Sequence, residues 1–206
     1  MLEFDKARLV ASLERLHERD RSAFAAACAQ RVIPSYYVFS ENTGRGNPKR
    51  LAELIDRLWD DLSGKLMSDQ EVEAAIQDCL KLIPQEGDGP WVTEQGAADD
   101  SVSALAYALR CRKNGLAKEA AWAAERAYEA VMYFCENMSR ENSSRKTRLL
   151  NRSQIQVEIA SRAAQPVVQA ELASQQRDLE ELLGNKATPR LLQERAKLEA
   201  PDLSFR

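Results

Sequence analysis

The chain has 206 residues, of which 44% are apolar and 30% charged, and its formal net charge at neutral pH is −3. This composition is typical of a globular protein rather than a disordered one. The length favours one domain, leaves room for two small ones, and is sufficient to bury a core without disulfides. A calculated pI of about 5.5 argues against a nucleic-acid-binding surface.

The sequence predicts neither a membrane-spanning helix nor a secretory signal peptide. No apolar run approaches the roughly 20 residues that a membrane helix needs, and the charged N-terminal residues do not resemble a signal peptide. The cysteines are far apart and form no Cys-x-x-Cys pair, which argues against a disulfide framework or a zinc site. We therefore expect a cytoplasmic protein with buried, reduced thiols. The cysteines are Cys28, Cys79, Cys111 and Cys135.

Charge is unevenly distributed along the chain. Residues 53–100 contain 13 acidic and 3 basic side chains, a net −10, whereas residues 101–152 contain 5 acidic and 10 basic ones, a net +5. Such an asymmetry either lets neighbouring helices attract one another or creates a dipolar surface that orients a partner. The sequence leaves open whether the two segments meet within one chain or between two chains.

The first third of the chain predicts two helices and a short aromatic segment. Residues 4–18 have the apolar spacing of an amphipathic helix. Asp20 is placed to cap a second helix, which Pro34 ends or bends. Residues 35–43 contain two tyrosines and a phenylalanine, and we expect this segment to fold onto the core.

Two strong helix start signals follow. Asn47-Pro48 combines a capping side chain with proline at the first helical position. Ser68 and Glu71 have the spacing of a capping box, which predicts the start of the next helix. Residues 84–96 are rich in glycine, proline and acidic side chains and are predicted to form the longest loop.

Residues 99–138 predict an antiparallel helical hairpin at the centre of the core. Asp99 and Asp100 are placed to cap its first helix, and Asn114-Gly115 is a typical helix end. The second helix is rich in alanine, which favours helix and allows two helix axes to approach closely. The apolar faces are formed by Val102, Leu105, Ala106 and Leu109, and by Leu116, Ala120, Ala123, Ala124, Ala127, Val131, Phe134 and Met138.

The C-terminal third predicts one long helix and a short terminal one. Residues 139–152 are polar and basic, as in a loop, and residues 153–183 predict a long helix that is kinked at Pro166. Residues 187–206 predict a short helix and a tail. The sequence thus predicts an all-α fold, in which residues 1–186 form a single-domain bundle of about six to eight helices around the alanine-rich hairpin.

The order and spacing of four short motifs suggest a family. Over about residues 9–183, they resemble the bacterial YjaG-like family, which is one of the domains of unknown function. The resemblance implies an all-helical, soluble bacterial protein and no particular reaction. One position departs from the family pattern, because Asn47 stands where an acidic residue is frequent, and this suggests helix capping. The motifs are Arg31-x-x-Pro34-x-Tyr36-x-x-Phe39, Thr43-Gly44-x-Gly46, Leu54-Ile55-Asp56-x-x-Trp59, and Asp100 opening an alanine-rich helix.

Side chains that could form a catalytic site are scarce. His17 is the only histidine, so a catalytic pair of a nucleophile and a histidine would have to use it. Zinc sites and di-iron sites of the Glu-x-x-His type need more histidines than this chain has. The charged neighbours of His17 indicate a solvated helix surface instead. Residues 43–49 match neither a P-loop nor a dinucleotide-binding fingerprint.

Clustered carboxylates provide the main enzymatic alternative. Glu53, Asp56 and Asp60 share one helix face, and Asp99 and Asp100 lie together at a predicted helix start. If the two clusters meet, they can hold Mg²⁺, a hard cation that takes oxygen ligands and neutralises phosphate charge. The alternative function is then a magnesium-dependent phosphate-ester or nucleotide hydrolase. The simpler interpretation is a polar helix face and a pair of helix caps.

Three features are candidates for an interaction surface. Trp91 lies in the acidic, glycine-containing loop, where it can border a pocket. A basic run can contact phosphate or an acidic partner, although it lacks interleaved aromatics and is equally typical of a solvated loop. The predicted hairpin has one partial tetratricopeptide pattern, whose small residues any alanine-rich hairpin would share. The basic run consists of Arg140, Arg145, Lys146, Arg148 and Arg152.

Amphipathic helices without a catalytic constellation favour a non-catalytic role. We expect a protein that acts through contact with an unknown protein partner or with a second copy of itself. No cofactor, membrane contact or nucleic acid is expected, and magnesium belongs only to the hydrolase alternative.

Overall fold

The computed structural model describes residues 1–85, 89–90, 92–141 and 152–203. These residues form helices and connecting turns, and none of them lies in a strand, so the predicted all-α class is confirmed. The helices are α1 (Lys6–Leu13), α2 (Glu18–Val32), α3 (Pro34–Thr43), α4 (Pro48–Leu62), α5 (Asp69–Leu82), α6 (Gln95–Asn114), α7 (Ala117–Glu141), α8 (Arg152–Ala163), α9 (Pro166–Leu183) and α10 (Pro189–Leu198).

Local capping signals determine where two of the helices begin, as predicted. Asn47 accepts a hydrogen bond from the backbone N–H of Arg50, and Pro48 occupies the first turn of α4. Ser68 and Glu71 form a reciprocal capping box at the start of α5. Both signals act within one turn, so they depend little on the rest of the chain.

Helices α6 and α7 lie in the middle of the bundle and make the most extensive helix–helix contact in the described part of the chain. Only Gly115 and Leu116 separate them, so the two helices run antiparallel. Gly115 has a φ of +68°, the left-handed conformation that favours glycine after a helix. Alanines that are fully buried allow close helix packing. They are Ala97, Ala98, Ala104, Ala108, Ala120, Ala121, Ala123, Ala124, Ala127 and Ala130.

Helix α2 is the third central helix and packs against both α6 and α7. Every residue from Ser22 to Val32 is buried. A helix that is buried on all sides belongs to the interior of a fold rather than to its surface. The other helices surround this centre: α1 contacts α7, α3 and α5 contact α6, α9 contacts α7 and α2, and α10 contacts α2 and α4.

Two segments differ from the sequence prediction. Helix α6 begins at Gln95 rather than at Asp99, because buried side chains at 95, 97 and 98 extend the helix toward the N-terminus. Asp99 and Asp100 therefore lie inside α6 and do not cap it. Residues 35–43 belong to helix α3.

Pro166 divides the long C-terminal helix that the sequence predicts. Helix α8 ends at Ala163, and Pro166 takes the first position of α9. Gln165 has extended backbone angles, φ −63° and ψ 141°, because proline disfavours the helical conformation in the residue before it. The predicted loop at 139–152 is helical at both ends, and residues 142–151 lie outside the described part.

The C-terminal helix α10 packs on the bundle. Leu192 and Ala196 are buried, and so is Leu203 beyond the helix. The division of the chain into a domain at residues 1–186 and a terminal segment at residues 187–206 stays a prediction.

The acidic and basic segments meet within one chain. Arg112 pairs with Asp61 at 2.5 Å, Lys113 pairs with Glu73 at 2.6 Å, and Arg126 pairs with Asp100 at 3.0 Å. Asp61 is 2% exposed and also accepts the backbone N–H of Met67 at 2.7 Å. The charge asymmetry of the sequence therefore helps to hold α6 against α4 and α5, and α7 against α6.

A buried ionic network connects α2 to α9 and α10. Arg31 donates from Nε and Nη2 to the carboxylate of Glu171, at 2.7 and 3.1 Å, and from Nη1 to Asp178 at 2.8 Å. The three side chains are at most 2% exposed. The other oxygen of Asp178 accepts from Arg195 of α10 at 2.8 Å. Gln175 donates to Glu171 and to the backbone carbonyl of Ala124, which brings α7 into the network.

The alanine packing predicts sensitivity to side-chain volume. Ala124→Leu should lower the free energy of unfolding by about 1–3 kcal/mol, because a larger side chain has no room between packed helices. Urea denaturation followed by circular dichroism measures this loss. Ala173 is an exposed helical alanine of α9, so Ala173→Leu is a matched control with little expected change. Equal stability of wild type and Ala124→Leu would contradict the tight packing.

The ionic network predicts a strong dependence on Arg31. Arg31→Met should cost about 3–5 kcal/mol of unfolding free energy, because it leaves Glu171 buried without its guanidinium partner. The double variant Arg31→Met/Glu171→Met should recover part of this loss, since Asp178 keeps Arg195 as a partner. Denaturant titrations of the three proteins measure both effects, and a loss of less than 1 kcal/mol for the single variant would argue against the network.

Candidate functional site

A shallow cleft with a volume of about 280 Å³ lies where α6, α7 and α8 meet. Helix α6 contributes Asp100 and α8 contributes Arg162 from its last turn. The remaining side chains project from α7 at spacings of three, three, one and three residues, which places them along one face of that helix. The lining residues are Asp100, Arg126, Glu129, Met132, Tyr133, Glu136 and Arg162.

Two arginines organise the charges of the cleft. Arg126 donates from Nη1 to Asp100 at 3.0 Å, and its Nη2 lies 2.5 Å from Glu129. Arg162 donates from Nη1 to Glu136 at 2.9 Å and from Nη2 to Glu158 at 3.3 Å. Each arginine is therefore held between two carboxylates. We call these sets the first triad (Asp100, Arg126, Glu129) and the second triad (Glu136, Arg162, Glu158).

The carboxyl group of Asp100 has an unusual protonation equilibrium. Burial, helped by the negative charges of Glu129 and Asp99, raises the pKa of Asp100 to about 7 against the lowering effect of Arg126. Burial also raises the pKa of Glu129. Asp100 thus changes its charge close to neutral pH, which is a common property of functional carboxylates.

Gly96 leaves room for the ring of Tyr133, which forms part of the cleft wall. A Cβ atom at Gly96 would lie 2.6 Å from the ring of Tyr133, much closer than carbon atoms approach one another. The absence of a side chain at this position lets the ring lie against α6, one turn before Asp100. The position of Tyr133 in the cleft therefore depends on this glycine.

The candidate ligands of the magnesium alternative, Asp56, Asp60, Asp99 and Asp100, occupy different surroundings. Asp56 is exposed and pairs with Lys197 at 3.3 Å, and Asp60 pairs with Lys65 at 3.0 Å. Asp99 is exposed and accepts from Ser103 at 3.2 Å, whereas its neighbour Asp100 faces the cleft. In the residues that the structure describes, no group of three or more histidine, cysteine or acidic side chains is arranged to hold a metal ion.

The other predicted site residues are only partly within the described chain. Trp91 lies outside it, and so do Arg145, Lys146 and Arg148 of the basic run. Arg140 belongs to α7 and Arg152 begins α8, but their side chains are outside the description. Their role as an interaction surface stays a prediction.

His17 caps a helix, and the four cysteines are buried. His17 precedes α2, and its Nδ1 accepts the backbone N–H of Arg19 at 3.3 Å. All four cysteines are free and buried, as predicted. Burial raises the pKa of Cys79 to about 12 and that of Cys111 to about 11, so both remain thiols at neutral pH.

Sequence analysis missed most of the cleft. It singled out Asp100 but not Arg126, Glu129 or Arg162. The available signal was weak, because the charged residues of α7 recur at helical spacing and any solvated helix face has the same pattern.

The described helices include none that is long and apolar enough to cross a bilayer.

Comparisons with known proteins identify the family. A family model described as "Protein of unknown function (DUF416)" matches residues 8–202, which is nearly the whole chain. The chain belongs to the DUF416 family. The expectation of a family without an assigned function is thereby confirmed. No curated protein matches the chain.

A solved member of DUF416 has the same fold. The crystal structure of a DUF416 family protein from Shewanella baltica OS155 superposes with a TM-score of 0.68, and the match covers 92% of each chain. The two sequences are 20% identical. At this identity the likeness concerns the fold, and it extends over almost all of both proteins.

The raised pKa of Asp100 predicts a specific pH dependence of stability. Between about pH 4, near the ordinary value for aspartate, and pH 7, the folded state binds more protons at Asp100 than the unfolded state does. The stabilising contribution is therefore present at low pH and is lost as the pH rises through 7.

Asp100→Asn, which mimics the neutral carboxyl, should be more stable than wild type at pH 8 and similar to it at pH 4. Denaturation at both pH values measures the difference, and Asp99→Asn is the control at the adjacent exposed position. A variant that is equally stabilised at both pH values would argue against a raised pKa.

Proposed function

We propose that the chain is a non-catalytic, cytoplasmic bacterial protein that acts by pairing with a second copy of itself through α8. The observation that carries this proposal is the exposure of three large aliphatic side chains on this helix of 12 residues. Ile155 is 44% exposed, Val157 is 68% exposed and Ile159 is 40% exposed. We also infer that the YjaG-like group lies within DUF416, since both resemblances span nearly the whole chain.

From residue 154 onward, where the side chains of α8 are described, the exposed ones are uncharged, although 30% of the residues of the chain are charged. Glu158 and Arg162, the charged side chains described in this helix, are partly buried and pair with each other at 3.3 Å. Depletion of charge is typical of the centre of a protein interface. Of the exposed residues, Ile155, Gln156, Ile159 and Ala160 share one side of the helix, and we call them the neutral strip; Val157 and Ser161 lie further around the helix.

A second copy of the chain is the partner that the neutral strip favours. In a two-fold symmetric pair, each surface meets the same surface of the other copy. An uncharged, apolar strip can do so without repulsion between like charges, whereas a strongly charged partner would gain little from it. Because the strip is only one short helix, we expect weak association that depends on concentration.

The sequence also marks a basic run for interaction. The basic run from Arg140 to Arg152 leads into α8, and a chain with a net charge of −3 offers acidic surface to such a segment on another copy. The role of Trp91 in an interaction surface stays a prediction. Rim charges mainly affect the association rate and its salt dependence.

Light scattering coupled to size exclusion tests the proposal directly. The wild-type chain of 23.1 kDa should show an average mass that rises toward that of a dimer as the protein concentration increases. Ile159→Lys and Ile155→Lys should keep the monomer mass at all concentrations, because they place a charge in the neutral strip. Leu198→Lys is the control, since Leu198 is 86% exposed on α10, away from the strip.

Two outcomes would refute self-association through α8. One is a wild-type protein that remains a monomer at the highest concentration reached. The other is a dimer that persists in both isoleucine variants, particularly if Leu198→Lys dissociates it.

A further inference from the structure

Two aromatic side chains reach the surface where α6 and α7 pack against each other. Tyr107 of α6 and Trp122 of α7 are in contact, with ring centroids 5.3 Å apart and ring planes inclined by 44°. Both side chains are partly buried. Within the described part of the chain, neither the hydroxyl group of Tyr107 nor the indole N–H of Trp122 has a hydrogen-bond partner, and neither group is buried.

Three cationic side chains surround this aromatic pair. The guanidinium carbon of Arg110 lies 5.5 Å from the centroid of the Tyr107 ring. The ammonium groups of Lys6 and Lys118 each lie 5.6 Å from the centroid of the Trp122 ring. Arg110 is one turn after Tyr107 on α6, and Lys118 is one turn before Trp122 on α7. Because the two helices run antiparallel, Arg110 and Lys118 lie at the same end of the aromatic pair, toward the turn between the helices. We call Tyr107, Arg110, Lys118 and Trp122 the aromatic patch.

The carboxylates beside the aromatic patch are covered or paired. Glu119 is 2% exposed and accepts from Nη2 of Arg110 at 3.1 Å. Glu125 accepts from Lys6 at 2.6 Å. Lys118 is exposed, and its ammonium group forms no ion pair or hydrogen bond with any residue that the structure describes. These three cations and two carboxylates leave one positive charge in excess, on a chain whose net charge is −3.

The composition of the aromatic patch is typical of the centre of a protein interface. Tryptophan, tyrosine and arginine are the residue types that contribute most of the binding energy at such interfaces. The unpaired donors of the patch require acceptors from a partner, and a carboxylate binds a cationic donor more strongly than a neutral acceptor does. The two rings favour contact with a further aromatic side chain.

We propose that the aromatic patch docks a short acidic segment of a partner protein. An aromatic side chain of this segment packs on Tyr107 and Trp122, and its carboxylates pair with Arg110 and Lys118. Charge sets its direction, because Asp100 of the first triad lies two turns before Tyr107 and the ionised triad repels the acidic part. The patch belongs to α6 and α7, so this docking is separate from self-association through α8.

A single-stranded nucleic acid also combines aromatic rings with negative charge, but it suits this surface less well. Its phosphates recur at every nucleotide, so a strand along α6 and α7 would bring phosphates against the first triad as well as against Lys118. A peptide can carry its carboxylates at one end only. The local excess of charge therefore favours a peptide segment.

Fluorescence anisotropy with the full chain tests the proposal. The probe is a labelled peptide with blocked termini and the sequence Asp-Glu-Phe-Asp-Glu, for which we expect saturable binding at submillimolar concentration. The peptide Asp-Glu-Ala-Asp-Glu lacks the ring and should bind about tenfold more weakly. Lys-Arg-Phe-Lys-Arg keeps the ring with the opposite charge and should not bind. Single-stranded oligothymidylate should bind more weakly than the acidic aromatic peptide.

Variants assign the binding to the aromatic patch. Lys118→Glu should weaken binding of the acidic aromatic peptide by about tenfold or more, because it replaces an unpaired cation by a carboxylate. Lys49→Glu is the matched control and should leave the affinity unchanged. Lys49 is likewise exposed and unpaired among the described residues, and it is the second residue of α4 as Lys118 is of α7.

Trp122→Ala should weaken binding of the same peptide by a similar factor, because it removes the larger ring of the patch. Thermal melts monitored by circular dichroism establish that each variant is folded. Lys118→Glu changes an exposed side chain, so it alone suffices for the assignment if Trp122→Ala does not fold.

The proposal is overturned if the acidic aromatic peptide does not bind at millimolar concentration, if the basic peptide or the oligonucleotide binds more tightly, or if folded Lys118→Glu binds as tightly as wild type. Light scattering of Lys118→Glu tests the other occupant. Loss of a dimer in this variant would place a second copy of the chain on the patch and overturn the proposal. An unchanged mass together with weakened peptide binding supports the partner segment, whether or not α8 mediates self-association.

Discussion

The buried guanidinium of Arg31 is the interaction on which the arrangement of the C-terminal helices depends. It meets Glu171 and Asp178, which lie two turns apart on one face of α9, and Asp178 in turn holds Arg195 of α10. Alanine faces can pack in more than one register with similar contact. A buried charge with three short hydrogen bonds tolerates no such shift, because any displacement leaves charged atoms unpaired. Charge pairing thus fixes the register that apolar packing leaves open.

The position of α9 determines that of α8. Pro166 begins α9 and interrupts the helical backbone before it, so α8 can lie across α7 as a separate helix. Arg162 of α8 pairs with Glu136 of α7 and completes the cleft. Ile155 and Ile159, which are partly exposed, lie two turns and one turn before Arg162 along the same helix. The proposed self-association surface therefore borders the cleft.

Sequence reasoning succeeded where the physical cause is local and failed where it is not. The caps at Asn47 and Ser68 act within a single turn, so spacing alone reveals them. The sequence predicts a cap at Asp99, whereas α6 extends back to Gln95 because of burial against other helices, which leaves no local signal. Likewise, the partners in the cleft are 26 residues apart in both Asp100–Arg126 and Glu136–Arg162, and no sequence spacing identifies such pairs.

The enclosure of α2 has a consequence for how this sequence can diverge. A helix with a solvent side can accumulate substitutions there at little cost, but from Ser22 to Val32 no residue has such a side. Any gain in bulk on this helix must be matched by a loss of bulk on one of the helices that pack against it, among them α6, α7 and α10. We therefore expect α2 and its neighbouring helices to change in compensating pairs.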